Sequence, residues 1–252
     1  MLSKSQLKDL GRYALKKRRD EEGVFVAEGG KLIEELSRTY TCKLLVGTEK
    51  LGNQPSIPCE KFLRVTQDEL ERITLQKTAR DSFAVFKRPD TPCDNILERR
   101  NGLTLALDSV QDPGNLGTII RICDWFGIEQ VWCSVGCADI WNPKVVQSTM
   151  GALARVHIST GVCLVNALKE AHKMGLKIYG TLLDGENIYK KNLTENAIIV
   201  MGSEGNGLSK EVRRYVNEQL LIPSWPPDRP TSESLNVAVA TALVLGEFRR
   251  RQ

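Results

Sequence analysis

Histidine is scarce in this 252-residue chain, which holds only His157 and His172. Its seven cysteines (Cys42, Cys59, Cys93, Cys123, Cys133, Cys137 and Cys163) include no C-x-x-C pair. That shortage argues against a zinc site, which needs four nitrogen or sulfur ligands at short, regular spacing, and no metal is expected. An odd count at irregular spacing also argues against a disulfide scaffold, and reduced, mostly buried thiols of a cytoplasmic protein are expected instead. No apolar stretch follows the basic N-terminal residues, so no secretory signal is expected. The longest small-apolar run, residues 237–246, is too short to span a bilayer.

Two nucleotide signatures are missing as well. The segment SVQDPGNLGTIIRICDW, from Ser109, has a strand before it, a tight Pro-Gly turn and a helix after it. It lacks the third glycine of G-x-G-x-x-G and the G-K-S/T of a P-loop, so it is not read as a pyrophosphate turn. The net charge of +4 identifies no partner, but its placement is uneven. Within residues 1–20, seven basic residues face Asp9 and Asp20, a local charge of +5. That cluster reads equally well as a phosphate-tracking arm or as the solvated face of a first helix.

The chain has two halves. Prolines and charges at residues 86–102 interrupt the apolar periodicity, which places a domain at 1–95, a linker at 96–102 and a second domain at 103–252. In the first half, Leu7, Leu10, Ala14 and Leu15 suit a short amphipathic helix ending near Gly23. Strands at 24–28, 42–47 and 82–87 alternate with helical segments, one of them capped by Thr66, giving a small α/β sandwich. In the second half, apolar strands are expected at 103–107, 130–134, 155–158, 177–181, 197–201 and 219–222. Helices are expected near Asn115, Asn142, Gly161 and Ser209 and from about Leu235 to Arg250. Apolar strands alternating with helices imply a parallel sheet covered on both faces.

Ligands of such sheets bind outside the carboxyl ends of the strands, and three of these ends carry unusual chemistry. In DPGNLGTIIR, Asn115 reads as a helix cap and Arg121 lies off the buried stripe, facing the strand ends or solvent. In IIVMGSEGNGLS, Gly202, Gly205 and Gly207 permit close backbone approach, while Glu204 reads as a ligand group or as a partner of the helix after Ser209. In LIPSWPPDRPTSESLNVAVATAL, Ser234 and Asn236 read as caps or site residues, and the helix beyond them is apolar on most faces.

Taken together, Asn115-x-Gly117-x-x-x-Arg121, Gly202-x-Glu204-Gly205-x-Gly207 and Ile222-Pro223 followed by Ser234-Leu235-Asn236-Val237-x-x-Ala240 resemble the three motifs of the SpoU (TrmH-like) RNA 2′-O-ribose methyltransferases of the SPOUT superfamily. KKRRDEEGVFVAEGGKLIEEL looks like the ribosomal-protein-like substrate-binding domain of the rRNA-modifying branch. The segment 222–234 departs from the family pattern, being longer and richer in proline.

The resemblance implies a C-terminal parallel sheet tied in a deep trefoil knot, an exception to the rule against threaded chains. It implies S-adenosylmethionine held at Gly202, Ile222, Leu235 and, more weakly, Thr181. It implies Arg121, Asn115, Glu204, Ser234 and Asn236 as catalytic or positioning residues, an RNA substrate, rRNA before tRNA, and a homodimer through the knotted domain. Proton removal falls to Glu204, to a water it orients, or to Arg121. The rival from another class is an RNA-binding or assembly factor that keeps the fold without turnover. A cytosine C5-methyltransferase would need a nucleophilic cysteine in a defined motif, and none of the seven sits in one.

Overall fold

The computed structural model describes residues 2–51, 57–89, 102–226, 232 and 234–250. The expected linker, Gly102 excepted, and much of the proline-rich segment lie outside these residues. Two compact units are formed, Met1–Pro92 with Trp141–Ala154, and Cys93–Ile140 with Arg155–Gln252. In chain order the elements are α1 (Lys4–Gly11), α2 (Lys16–Glu22), β1 (Val24–Glu28), α3 (Gly30–Ser37), β2 (Cys42–Gly47), β3 (Phe62–Arg64), α4 (Gln67–Glu71) and β4 (Ser82–Lys87). They continue with β5 (Leu103–Asp108), α5 (Pro113–Trp125), β6 (Gln130–Ser134), α6 (Pro143–Thr149), β7 (His157–Val162) and α7 (Leu164–Lys173). The last are β8 (Lys177–Asn187), β9 (Ala197–Gly202), α8 (Lys210–Arg213), β10 (Glu218–Leu221) and α9 (Val237–Arg250).

In the first unit the order β1-β4-β2-β3 makes a four-stranded sheet, antiparallel except for the pair β2/β3. The single N-terminal helix expected from the apolar spacing is instead two helices, broken where Leu15 turns extended. The break is held by Arg19, which is buried and donates from Nη1 to the carbonyls of Tyr13 and Ala14 at 2.9 and 2.8 Å. One of the seven basic residues is therefore a structural pin, and Arg12, Lys17 and Arg18 are paired with Asp9, Glu21 and Glu22. Thr66 caps α4 as expected, in a reciprocal capping box with Glu69.

The second unit is an α/β layer built on a six-stranded, wholly parallel sheet ordered β10-β8-β9-β5-β6-β7. Its central strands are buried on both faces, which is why β5 and β9 read as continuous apolar runs. From β5 the chain steps outward to β6 and β7, then returns to the other side of β5 for β8 and β9. The order thus reverses between β5 and β9, the switch point where parallel sheets open a crevice. All six strands form where the sequence reading expects them; β6 agrees at both ends, β5 and β9 differ by one residue at one end and β10 at both, and larger differences fall at β7 and β8. β7 starts two residues later and runs on to Val162 with Gly161 inside it at φ +68°, β8 runs on to Asn187, and the helix expected near Gly161 begins at Leu164.

Among the described cysteines, Cys42, Cys123 and Cys133 are buried free thiols, Cys59 and Cys137 are half-buried, and Cys163 is exposed. Among the described residues, no helix is long and apolar enough to cross a membrane.

Candidate active site

The three polar strand ends meet. α5 begins at Pro113, capped by Asp112, whose carboxylate accepts from the Asn115 amide N–H at 2.8 Å. Asn115 is therefore not the cap that its position suggested, and its side chain is released for another partner. Its Nδ2 donates to Glu204 Oε1 at 2.8 Å. Asn236 Nδ2 donates to the same oxygen at 2.6 Å and to Asn115 Oδ1 at 3.0 Å. One residue from each motif thus enters a closed triangle of hydrogen bonds, two of them charge-assisted by the Glu204 carboxylate.

Asn236 does two jobs. It stands immediately before α9, and its Oδ1 accepts from the backbone N–H groups of Ala238 (3.0 Å) and Val239 (3.3 Å), so it is the N-cap of that helix. The Val237 N–H adds a third donor to Glu204 Oε1 at 3.3 Å. Glu204 therefore serves the N-terminus of α9, not that of α8 as its neighbourhood in sequence suggested. Three donors converge on Oε1, while Oε2 makes no hydrogen bond among the described residues.

The loop that presents Glu204 is fixed by backbone geometry. Ser203 and Gly207 pair across the turn, their N–H groups donating to each other's carbonyls at 3.1 and 2.9 Å. Gly207 has φ +64°, and a Cβ on Gly202 would fall 2.2 Å from the Gly207 carbonyl carbon. Only glycine fits at 202. Gly205 has neither constraint. The sequence reading missed Asp108, the buried last residue of β5, whose Oδ2 accepts from the Ser209 N–H at 2.8 Å. That bond ties the strand leading into the first motif to the end of the second motif's loop. A carboxylate ending an apolar strand, as in LTLALD, was the available signal.

Beside this triangle lies a cleft of about 1060 Å³ formed by the carboxyl ends of β8, β9 and β10. Thr181, Gly202, Glu204, Ile222, Ser234 and Leu235 all line it. So do Met201, Val237 and Ala240, which give it an apolar wall, and the ion pair Asp184–Arg213. Arg121 stands apart. It is exposed on α5, lines no part of this cleft and makes no hydrogen bond among the described residues. Its neighbour one turn on, Trp125, is 84% exposed. No group of three His, Cys, Asp or Glu among the described residues could hold a metal ion.

A sequence model described as the SpoU rRNA methylase family matches residues 102–246. The chain belongs to the SpoU rRNA methylase family. A second model, described as an MRM3-like substrate binding domain, matches residues 4–84 of this SpoU family member. A TrmH-family protein from Porphyromonas gingivalis of known structure is 42% identical, with TM-score 0.88 and 100% of both chains covered. An AdoMet-bound rRNA methyltransferase from Sinorhizobium meliloti is 26% identical with TM-score 0.84, covering 100% of this chain and 97% of that one. The 23S rRNA (guanosine(2553)-2′-O)-methyltransferase RlmP of Bacillus subtilis is 28% identical across 97% of this chain and 96% of its own. With two other curated relatives the match covers 60% of this chain and 54% and 59% of theirs.

Proposed function

We propose that this SpoU family member transfers a methyl group from S-adenosylmethionine to a ribose 2′-hydroxyl of ribosomal RNA. The observation that carries the reading is the meeting of Asn115, Glu204 and Asn236, one from each motif, at the edge of the cleft. The residues present fit the cofactor. Gly202, held against the Gly207 backbone, lets the loop line the cleft with bare amide and carbonyl groups, and Leu235, Val237 and Ala240 offer an apolar wall for a purine. Thr181, Gly202, Ile222 and Leu235 would hold it. When bound, S-adenosylmethionine supplies an electrophilic methyl group on sulfur.

The chain's own residues position the alcohol and take its proton. Glu204 Oε1 is locked by three donors, so Oε2 is the atom available to accept a proton from the 2′-hydroxyl, directly or through a water. Asn115 and Asn236 hold that carboxylate in one orientation, and Ser234, which lines the cleft, would help position the substrate. A guanidinium is a donor-only group whose fork suits two oxygens of a phosphate, so the role of Arg121 is to clamp an RNA phosphate and not to act as a base.

The apolar side chains left exposed on α5 and α9, Trp125, Val239 and Leu243, support a homodimer through this unit. Arg121 stands on the same exposed face as Trp125, and the partner copy would complete its surroundings. The family's deep trefoil knot is part of this reading, as is a cytoplasmic location alongside ribosomes. Whole-chain matches to rRNA enzymes support rRNA over tRNA.

The test is labelled methyl incorporation from S-adenosylmethionine into unmodified bacterial 23S rRNA. Wild type incorporates label, and Arg121→Ala incorporates almost none while still binding the cofactor. Incorporation by Arg121→Ala at the wild-type rate refutes the assignment of Arg121. RNA binding without any incorporation by wild type favours the assembly-factor reading.

A further inference from the structure

Two thiols outside the cleft meet where β6 ends. Cys133 is buried in that strand, in register with Leu107 of β5. The chain then turns through Ser134–Cys137, closed by the Cys137 N–H donating to the Ser134 carbonyl at 3.1 Å. The turn folds the Cys137 thiol back over the strand ends, where it donates to the Leu107 carbonyl at 3.2 Å and lies 3.7 Å from Ser134 Oγ. In that position it is within hydrogen-bonding reach of the Cys133 thiol. Cys137 is only half-buried, at the end of a turn whose Val135 and Gly136 are exposed, so it is the thiol nearer to solvent.

The two thiols divide the chemistry between them. The hydrogen bond from Cys133, helped by the Ser134 hydroxyl and the N–H groups of Val110 and Ser109, brings Cys137 down to about 7 against the opposing effect of burial. The same hydrogen bond, with burial, pushes Cys133 well up. Leu107 is the acceptor that opposes the thiolate. A thiolate is the attacking form, and a protonated thiol beside it is placed to resolve the product.

This turn also supports the loop of the first motif. Ser134 Oγ accepts from the Ser109 N–H at 2.9 Å, and the Ala138 N–H donates to the Val110 carbonyl at 2.9 Å. Ser109 sits at φ +62°, an uncommon conformation for a residue with a Cβ. A Cβ on Gly136 would fall 2.5 Å from Ser109 Oγ, so Gly136 leaves the room that Ser109 needs. Drawing Cys137 onto Cys133 takes its sulfur from Leu107 and Ser134 and disturbs this support just ahead of Asp112, the cap of α5.

We propose that Cys137 and Cys133 form a peroxide-sensitive dithiol whose disulfide displaces the loop of the first motif and slows methyl transfer. The Cys137 thiolate attacks one oxygen of hydrogen peroxide and the O–O bond breaks. The other oxygen leaves as hydroxide, takes a proton from solvent, and Cys137 is left as a sulfenic acid. The Cys133 sulfur then attacks the Cys137 sulfur, the S–O bond breaks, and the hydroxyl leaves as water with the Cys133 proton. The two thiols together lose two electrons, which the peroxide takes, and exchange with a small thiol restores them. The oxidation itself is independent of the methyltransferase reading, and only its effect on rate rests on that reading.

The test uses the full chain, reduced and then treated with stoichiometric hydrogen peroxide, each cysteine being followed by alkylation and peptide mass spectrometry. Exposed Cys163 is the internal reference. The Cys133–Cys137 disulfide is expected to form before Cys163 is oxidised, although Cys163 is the more exposed thiol. Cys133→Ala is expected to stop at a Cys137 sulfenic acid that dimedone traps, and Cys137→Ser to give neither product. On oxidation of wild type, amide hydrogen exchange over residues 109–116 is expected to speed up and to recover with dithiothreitol. Methyl incorporation into 23S rRNA should fall by about 10-fold or more and recover in parallel.

Oxidation of Cys163 while Cys137 stays a thiol overturns the proposal, and this result needs no variant to fold. A disulfide that leaves both exchange and incorporation unchanged overturns it too. No incorporation by the reduced chain counts against the methyltransferase reading instead, and the mass and exchange measurements still decide this one.

Discussion

The two units are built from the same alternation of helices and strands, yet only one gathers the three motifs' polar loops into a shared site. In the second unit all six strands run the same way, so every carboxyl end opens on one edge and loops distant in sequence become neighbours. The loops after β5 and β9 are adjacent because those strands pair directly, and Asn115 thereby meets Glu204, 89 residues away. In the first unit the strands are mostly antiparallel, their ends alternate, and polar side chains such as Glu28 and Glu69 are used up in fixing the turns beside them. The lesson is that strand direction, more than residue type, decides whether a hydrogen-bonded carboxylate becomes a site, as the exposed Glu204 does, or a staple, as the buried Glu28 does. Glu204 and Glu28 are the matched pair.

The sharpest way to break that contrast is at Gly202. Gly202→Ala puts a methyl group 2.2 Å from the Gly207 carbonyl carbon and must displace the loop. We expect S-adenosylmethionine affinity to fall by more than about 100-fold by calorimetry, since the loop's backbone is itself the proposed binding surface. Unchanged affinity would show that the loop does not hold the cofactor.

Next in size is the comparison of Glu204→Gln with Glu28→Gln. The first is expected to lower kcat by about 10²-fold with little change in thermal midpoint. The second is expected to lower the midpoint while leaving cofactor affinity unchanged, because Glu28 lies outside the cleft. A reversed pattern would break the distinction between site and staple.

Asn236→Ala combines both roles in one residue. Loss of the α9 cap should cost about 1 kcal/mol, or roughly 2–4 °C in a chain of this size. Its effect on kcat should be non-additive with Glu204→Gln, because both act through one carboxylate. Additive effects would mean that Asn236 is a cap alone.

The smallest effect expected is in the pH dependence of the first unit. Burial pushes the Glu28 carboxyl above its ordinary value, opposed by the Thr74, Leu75 and Gln76 contacts and by Arg80. The folded state then binds a proton more readily than the unfolded chain. The Glu28 contribution therefore favours folding at low pH and is lost as pH rises through the raised folded value. Denaturant melts from pH 4 to pH 8 should show this slope in wild type and not in Glu28→Gln.

Much of this was legible in the sequence because parallel strands advertise themselves as apolar runs, and each motif sat where such a run stopped. β6 was read to the residue, as were Asn142 before α6 and Thr66 before α4. What was not legible were the choices among equivalent polar residues. Asp112 and Asn115 are both good caps, and only the position of Glu204 releases Asn115 from that role. Nor could spacing reveal that Arg19 turns inward, since its charge looks like that of its neighbours until the backbone breaks at Leu15. Asp108 escaped notice because its partner, Ser209, is 101 residues away.

The central claim is tested most directly by where the methyl group goes. Unmodified bacterial 23S rRNA is incubated with the protein and methyl-labelled S-adenosylmethionine, then hydrolysed in alkali, which cannot cleave beside a 2′-O-methylated ribose. Label recovered in an alkali-resistant dinucleotide is the result predicted. Label recovered in mononucleotides, and therefore on a base, would contradict the account.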